Sequence, residues 1–174
     1  MSNLRGFVPL FFEVSMIDPD KNSPTFNSYA SVDDLKKYAE DRNITLADSG
    51  LEALLITAMD YLESQKWLGK RTNPNQLLSF PRSGLSRDGV AIPSNQIPKQ
   101  LIQAQCRLAI ESVENDLQPT LGAEITSERI EGAIAVQYAE GTNTGAPNFL
   151  WLKGLLSGLI DVSDGFAINT FAAR

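Results

Sequence analysis

Few side chains in this sequence are suited to chemistry. The chain has no histidine and a single cysteine, Cys106. Histidine is the commonest general base and metal ligand, and it is the usual partner of a serine or cysteine nucleophile. A lone cysteine forms neither an intrachain disulfide nor a thiolate zinc cage, and it suits a reducing compartment. We therefore predict no catalytic residues, no metal and no cofactor, so that the protein is not an enzyme.

The carboxylate and serine motifs support the same conclusion. Asp33 and Asp34 stand at a predicted helix start, where the helix dipole favours negative charge. The spacing Asp18-x-Asp20-x-Asn22 resembles a calcium loop but lacks the glycine at its sixth position and the closing glutamate. No glycine-rich phosphate loop is present, and the serines near Gly84 do not form a nucleophile elbow.

Positive charge is concentrated in the middle of an acidic chain. The formal net charge is −6 and the pI is about 4.7. Residues 64–110 nevertheless carry seven positive side chains and one negative: Lys66, Lys70, Arg71, Arg82, Arg87, Lys99 and Arg107 against Asp88. This stretch is either an ordinary solvated segment or a basic surface that meets a phosphate backbone or an acidic protein.

Three helices are expected to position these residues. The first begins at Ser31, with Asp34 completing a capping-box pattern, and fades near Asn43. The second begins with a capping box from Ser49 to Glu52 and stops at Gly69. The third begins at Pro98, ends near Leu117 and places Cys106 among buried apolar residues.

The remaining segments are predicted to be extended or irregular. Residues 1–28 are predicted to be an extended arm or edge strand, and residues 70–97 are predicted to be a long loop. Residues 125–138 have the spacing of β-structure, and residues 141–147 read as a linker. The predicted fold class is mainly α, a small helical bundle with a short β-hairpin or strand segment and extended N- and C-terminal arms. Its divisions are an N-terminal extended arm or edge strand (1–28), a helical core (29–140), and a linker followed by an apolar C-terminal helix and tail (141–174).

The C-terminal segment is unusually apolar. Eight large hydrophobic residues lie within twelve positions from Phe149, and Lys153 is the one charged residue among them. Burying such side chains stabilises by about 1.5–3 kcal/mol each, so exposure to water is disfavoured. The segment either folds back onto its own core or docks into a partner. It is too short for the roughly 20 apolar residues that cross a bilayer, and no membrane association is predicted.

Five ordered blocks resemble a known family. They are Asn27–Asp34, Asp60–Leu62 with Trp67–Arg71, Gln76–Gly84, Ile97-Pro98 and Ser127–Ile130. In this order and spacing they resemble the head–tail connector, or neck adaptor, proteins of tailed phages, a family often labelled DnaT-like single-stranded-DNA-binding. The resemblance covers roughly residues 26–138. The family usually has tryptophan where Phe80 stands.

The resemblance implies a structural virion protein rather than a catalyst. It implies a ring of about twelve copies under the portal protein, assembled in the host cytoplasm and retained in the virion neck. The ring would extend the channel for genomic double-stranded DNA, without sequence-specific binding, and join the capsid to the next neck or tail protein. We expect portal docking through Phe149, Leu150, Trp151, Leu152, Leu155, Leu156, Leu159, Ile160, Phe166 and Phe171. We expect subunit interfaces at Lys66, Lys70, Arg71, Phe80 and Arg82.

The alternative function is a single-stranded-DNA-binding module. Trp67 and Phe80 would stack on bases, and the nearby cations Lys66, Lys70, Arg71 and Arg82 would contact phosphates. Affinity that falls steeply with salt would distinguish this alternative from the connector.

Overall fold

Two helices, two short hairpins and two further helices follow one another along the described part of the chain. The computed structural model describes residues 15–119 and 149–161. Within them the elements are α1 (Val32–Glu40), α2 (Leu51–Glu63), β1 (Lys70–Arg71), β2 (Arg82–Ser83), β3 (Ser86–Arg87), β4 (Val90–Ala91), α3 (Lys99–Glu111) and α4 (Leu150–Leu155). The predicted β segment at 125–138, the linker at 141–147 and most of the N-terminal arm lie outside the described residues.

Helices α2 and α3 form the centre of the core. Apolar positions of both helices face each other, with Leu55 and Leu62 on α2 and Leu101 and Leu108 on α3 fully buried. Helix α1 packs across this pair through Leu35. Leucine is a strong helix former, and each fully buried leucine contributes about 1.5–3 kcal/mol.

The local signals for α1 and α3 are confirmed. Ser31 caps α1 by accepting from the Asp34 amide, and the Asp34 carboxylate accepts from the Ser31 amide, which completes the capping box. Asn43 adopts a left-handed φ of 54° after this helix. Pro98 is the N-cap of α3. The last turn of α3 ends at Glu111, earlier than the predicted Leu117.

Both predicted ends of α2 were wrong. Gly50, not Ser49, is the N-cap, and no side chain caps the helix. The Glu52 carboxylate instead accepts hydrogen bonds from the Ser15 hydroxyl at 2.6 Å and the Met16 amide at 3.0 Å. The helix ends at Glu63, so Gly69 lies beyond it with a φ of +69° at the entry to β1.

The segment predicted as a long irregular loop contains two antiparallel hairpins. Strand β1 pairs with β2 so that Arg71 lies opposite Arg82. Strand β3 pairs with β4, and the turn between them has positive φ at Asp88 and Gly89, as a two-residue type I′ hairpin requires. The described part is therefore a mixed fold of four helices and two small hairpins, rather than clearly mainly α.

The apolar C-terminal segment folds against its own chain. Leu152, Leu156 and Leu159 are buried in the core, and Ile160 forms a bridge with Trp67. The amide of Leu68 donates to the carbonyl oxygen of Leu159 at 2.9 Å. Among the described helices, none combines the length and apolar character needed to cross a membrane.

Candidate functional site

The β1–β2 hairpin brings together three of the predicted basic residues. Lys70 and Arg71 are both exposed on β1, and Arg82 lies opposite Arg71 on β2. Like charges directly opposite each other on paired strands destabilise a hairpin, so this pairing needs a structural or functional reason. We call Lys70, Arg71 and Arg82 the basic hairpin face.

Arg82 is held in place by backbone carbonyl groups. Its Nε donates to the carbonyl oxygen of Leu68 at 2.6 Å, its Nη2 to that of Gly69 at 2.9 Å and its Nη1 to that of Ser79 at 3.3 Å. Carbonyl oxygens satisfy the donors of the guanidinium without cancelling its charge. Burial, followed by the charge of neighbouring Arg71, lowers the pKa of Arg82. Arginine nevertheless stays protonated in proteins, so the positive charge persists.

No residue of the basic hairpin face forms an ion pair with a carboxylate in the described part of the chain, although the charge of Glu63 acts on Arg82 from beyond ion-pair distance. Ion pairs in these ranges include Lys37–Asp41, Arg87–Asp88 and Arg107–Glu111, and none involves Lys70, Arg71 or Arg82. Lys66 is exposed on the segment between α2 and β1, and its carbonyl oxygen accepts from the Asp161 amide at 2.8 Å. Two exposed cations beside a fixed third form a surface suited to an anion such as phosphate.

The two aromatic residues expected near these cations belong to the core. Phe80 is 1% exposed and packs edge-on against Trp67, with ring centroids 4.9 Å apart, and against Tyr29 at 6.1 Å. Trp67 is half-buried, and its indole N–H is buried without a partner among the described residues. Phe80 therefore has almost no exposed surface with which to stack on a base or to contact another subunit. Trp67 keeps part of its surface exposed, so base stacking by Trp67 stays a prediction.

The Glu63 carboxylate at the end of α2 holds the part of the β1–β2 loop that leads into β2. Glu63 accepts hydrogen bonds from the Ser79 hydroxyl at 2.8 Å, the Ser79 amide at 3.0 Å and the Tyr29 hydroxyl at 2.7 Å. The Tyr29 oxygen in turn accepts from the Phe80 amide at 3.1 Å. Burial, with the adjacent Glu63 charge, raises the pKa of Tyr29, so the phenol remains a donor. The sequence carries no motif that links these distant residues.

The loop between β1 and β2, residues 72–81, forms the tip of the hairpin, and the Gln76 side chain holds it in place. Its Oε1 accepts from the Asn73 amide at 3.1 Å and the Thr72 hydroxyl at 3.2 Å. Its Nε2 donates to the carbonyl oxygens of Leu78 at 2.8 Å and Pro81 at 3.1 Å. All polar groups of this side chain are thus used within the loop, which holds the tip in one shape without a ligand.

The residues predicted to dock on the portal fall into three sets. Leu152, Leu156, Leu159 and Ile160 are core residues of this chain, which is the fold-back alternative. Phe149, Trp151 and Leu155 are partly buried, and Leu150 is 78% exposed. Phe166 and Phe171 lie outside the described residues. Portal docking itself stays a prediction.

Groups suited to catalysis or metal binding are not gathered in the described ranges. No cluster of three or more histidine, cysteine, aspartate or glutamate residues is found there. Cys106 is buried in the core, and burial raises the pKa of its thiol to about 12. Such a thiol is a poor nucleophile, because the reactive form is the thiolate.

Comparison with known proteins gives one finding. The family model described as "Putative DnaT-like ssDNA binding protein" matches residues 16–174. No curated protein and no solved structure matches the chain. The match spans all the described elements, including both hairpins.

Proposed function

Because this chain belongs to the DnaT-like ssDNA-binding family, we propose that it binds the phosphate backbone of single-stranded DNA through the basic hairpin face. The observation that carries the proposal is the pairing of Arg71 with Arg82, next to Lys70, without an ion pair to a carboxylate among the described residues. A phosphate between the two strands would relieve the repulsion between these like charges.

The chemistry of the face favours backbone contact over base stacking by aromatic rings. Trp67 and Phe80 are packed into the core, so phosphate contacts must supply most of the affinity. Such contacts position a strand without reading its sequence. The net charge of −6 opposes tight nonspecific binding, so we expect weak, strongly salt-dependent binding confined to this face.

The test is a salt titration of binding to a fluorescently labelled oligothymidylate, followed by anisotropy. The variant Lys70→Ala/Arg71→Ala removes both exposed cations of the face. The control Lys36→Ala/Lys37→Ala removes the same charge from exposed positions on α1. Each lost phosphate contact lowers the slope of log K against log salt by about 0.7 on single strands, so the hairpin variant should lose about 1.4.

Two results would overturn the proposal. One is that the unaltered protein does not bind the oligonucleotide even at low salt. The other is that the hairpin variant and the α1 control lose affinity and slope equally, because the binding would then reflect total charge rather than the basic hairpin face.

The second candidate function is the tailed-phage head-to-tail connector, a ring under the portal that extends the DNA channel and joins the capsid to the next neck or tail protein. The observation that favours it is Leu150, which is 78% exposed on α4 beside the half-buried Trp151. A large apolar side chain so exposed, within the segment expected to dock, suits a contact with another protein. In this candidate the protein assembles in the host cytoplasm and acts in the virion neck.

The connector is tested by native mass spectrometry of the full chain with and without its portal protein. A monomer alone and a stoichiometric ring with the portal would support the connector. Leu150→Asp should weaken that complex, whereas Val113→Asp, at a site 62% exposed on the turn after α3, should not. If no complex forms with an intact portal, the connector is excluded and the DNA-binding proposal stands alone.

A further inference from the structure

A cleft lies between the tip of the β1–β2 hairpin and the turn that precedes α1. It has a volume of about 330 Å³, and its apolar lining includes the half-buried Pro81 and the almost wholly buried Phe26 and Phe80. Ligand pockets for drug-sized molecules span roughly 300–1,000 Å³, so this cleft is near the smallest size and fits one planar ring system.

Leu77 stands at the edge of this cleft and is 57% exposed. The loop does not need this exposure for its own folding, because Gln76 fixes the backbone on either side. Stacking on flat apolar or aromatic groups is how proteins hold an unpaired base. Because Phe26 and Phe80 are almost wholly buried, the exposed Leu77 and the half-buried Pro81 provide the apolar surface that a base could contact.

The polar groups around the cleft suit a nucleotide. Arg71 Nη1 donates to the carbonyl oxygen of Gln76 at 3.5 Å, so the guanidinium of the basic hairpin face reaches the residue next to Leu77. Asn75 also lines the cleft, and its side-chain amide makes no hydrogen bond to any described residue. A free amide can pair with a base edge. The guanidinium of Arg71 therefore lies beside the backbone between Asn75 and Leu77, the two residues that would contact the base.

We infer that the cleft beside Leu77 holds one unstacked base of a bound DNA strand. This inference rests on the proposed binding of single-stranded DNA to the basic hairpin face, and it adds the reason for a preference over duplex. The base contacts Leu77 and Pro81 in the cleft while Arg71 holds the adjacent phosphate. A base within a duplex is paired and stacked, so it cannot enter without being flipped out.

The test compares Leu77→Ala with Val90→Ala, which removes another exposed apolar side chain, 70% exposed, from the second hairpin. Each protein is titrated with a single-stranded oligonucleotide and with its duplex at one salt concentration. We expect Leu77→Ala to weaken single-strand binding about fivefold, because it removes apolar surface that the base would bury, and to leave duplex binding unchanged. Val90→Ala should change neither. Arg71→Ala should weaken both.

A base-resolved readout separates this inference from the function on which it rests. A single-stranded oligonucleotide containing 2-aminopurine should change emission when it binds the unaltered protein, and the change should be lost with Leu77→Ala. If the unaltered protein binds but Leu77→Ala behaves as Val90→Ala on both strands, the base site is wrong and the phosphate contact stands. If the unaltered protein binds no DNA, the proposed function itself is wrong.

Discussion

Replacing Gln105 with methionine should destabilise the protein strongly although it leaves no cavity. Gln105 is fully buried on α3. Its Oε1 accepts from the Tyr29 amide at 2.9 Å and the Ala30 amide at 2.8 Å, and its Nε2 donates to the Ser28 hydroxyl at 2.8 Å and the Leu55 carbonyl oxygen at 2.9 Å. One side chain thus ties the segment before α1 to both central helices.

The magnitude follows from the donors left unsatisfied. Methionine has nearly the same shape, so the packing change is small. Two buried backbone N–H groups lose their acceptor, at about 1–3 kcal/mol each, for a total of about 2–6 kcal/mol. The thioether regains about 1 kcal/mol of apolar burial. We expect a net loss of about 3 kcal/mol, or about 6–12 °C in melting temperature for a chain of this size.

The assay is urea unfolding followed by circular dichroism, in which the midpoint falls while the slope m stays unchanged. The control Gln103→Met alters the same helix at a half-buried side chain that makes no hydrogen bond to the described residues. If Gln105→Met lies within about 1 kcal/mol of this control, the two amides have another acceptor and the reasoning is refuted. Hydrogen exchange at the Phe80 amide should also quicken, because Tyr29 bonds that amide.

Three further predictions concern a glycine, a thiol and a carboxylate. Gly69→Ala should destabilise far more than Gly84→Ala, because both have positive φ but only the first would place its Cβ against the Ser83 carbonyl oxygen; thermal melts of the two variants decide this. Cys106 should react with a disulfide reagent such as DTNB only as fast as the protein unfolds. Because the pKa of its thiol is about 12 in the fold against about 8.5 when unfolded, the stability that the neutral thiol contributes is complete below pH 8.5 and should fall as pH rises from there toward 12 in alkaline urea melts. Hydrogen bonds lower the pKa of Glu52, so the stability that they add is present above its ordinary pKa and is lost as pH falls. In urea melts, the difference in unfolding free energy between the unaltered protein and Glu52→Gln should therefore shrink as pH falls below about 4.3.

Local sequence signals predicted the elements that depend on local contacts. The start of α1 follows from Ser31 and Asp34, which bond each other across one turn. The burial of Cys106 follows from its apolar neighbours on α3. The capping box at Ser49 failed because Glu52 bonds residues 36 and 37 positions earlier in the chain, and no local pattern reveals such a contact.

The candidate site could be predicted only as a stretch of the chain. The excess of positive charge between Ser64 and Ile110 is visible in the sequence, but strands of two residues have no periodicity to detect. The register that sets Arg71 opposite Arg82 therefore needed the structure. The burial of Phe80 also needed the structure. An aromatic residue near an arginine in the sequence gives the same pattern whether it stacks on a ligand or fills a core.

The internal bonding of Gln76 makes the loop tip modular. The strands pair up to Arg71 and Arg82, and the Gln76 side chain holds the loop beyond them through hydrogen bonds within the loop. The exposed side chains of Asn75 and Leu77 therefore contribute little to the fold. Relatives that keep Gln76 are then free to diversify these two positions without loss of stability. The tip would accept grafted residues, so binding preference could be changed there while the scaffold stayed constant.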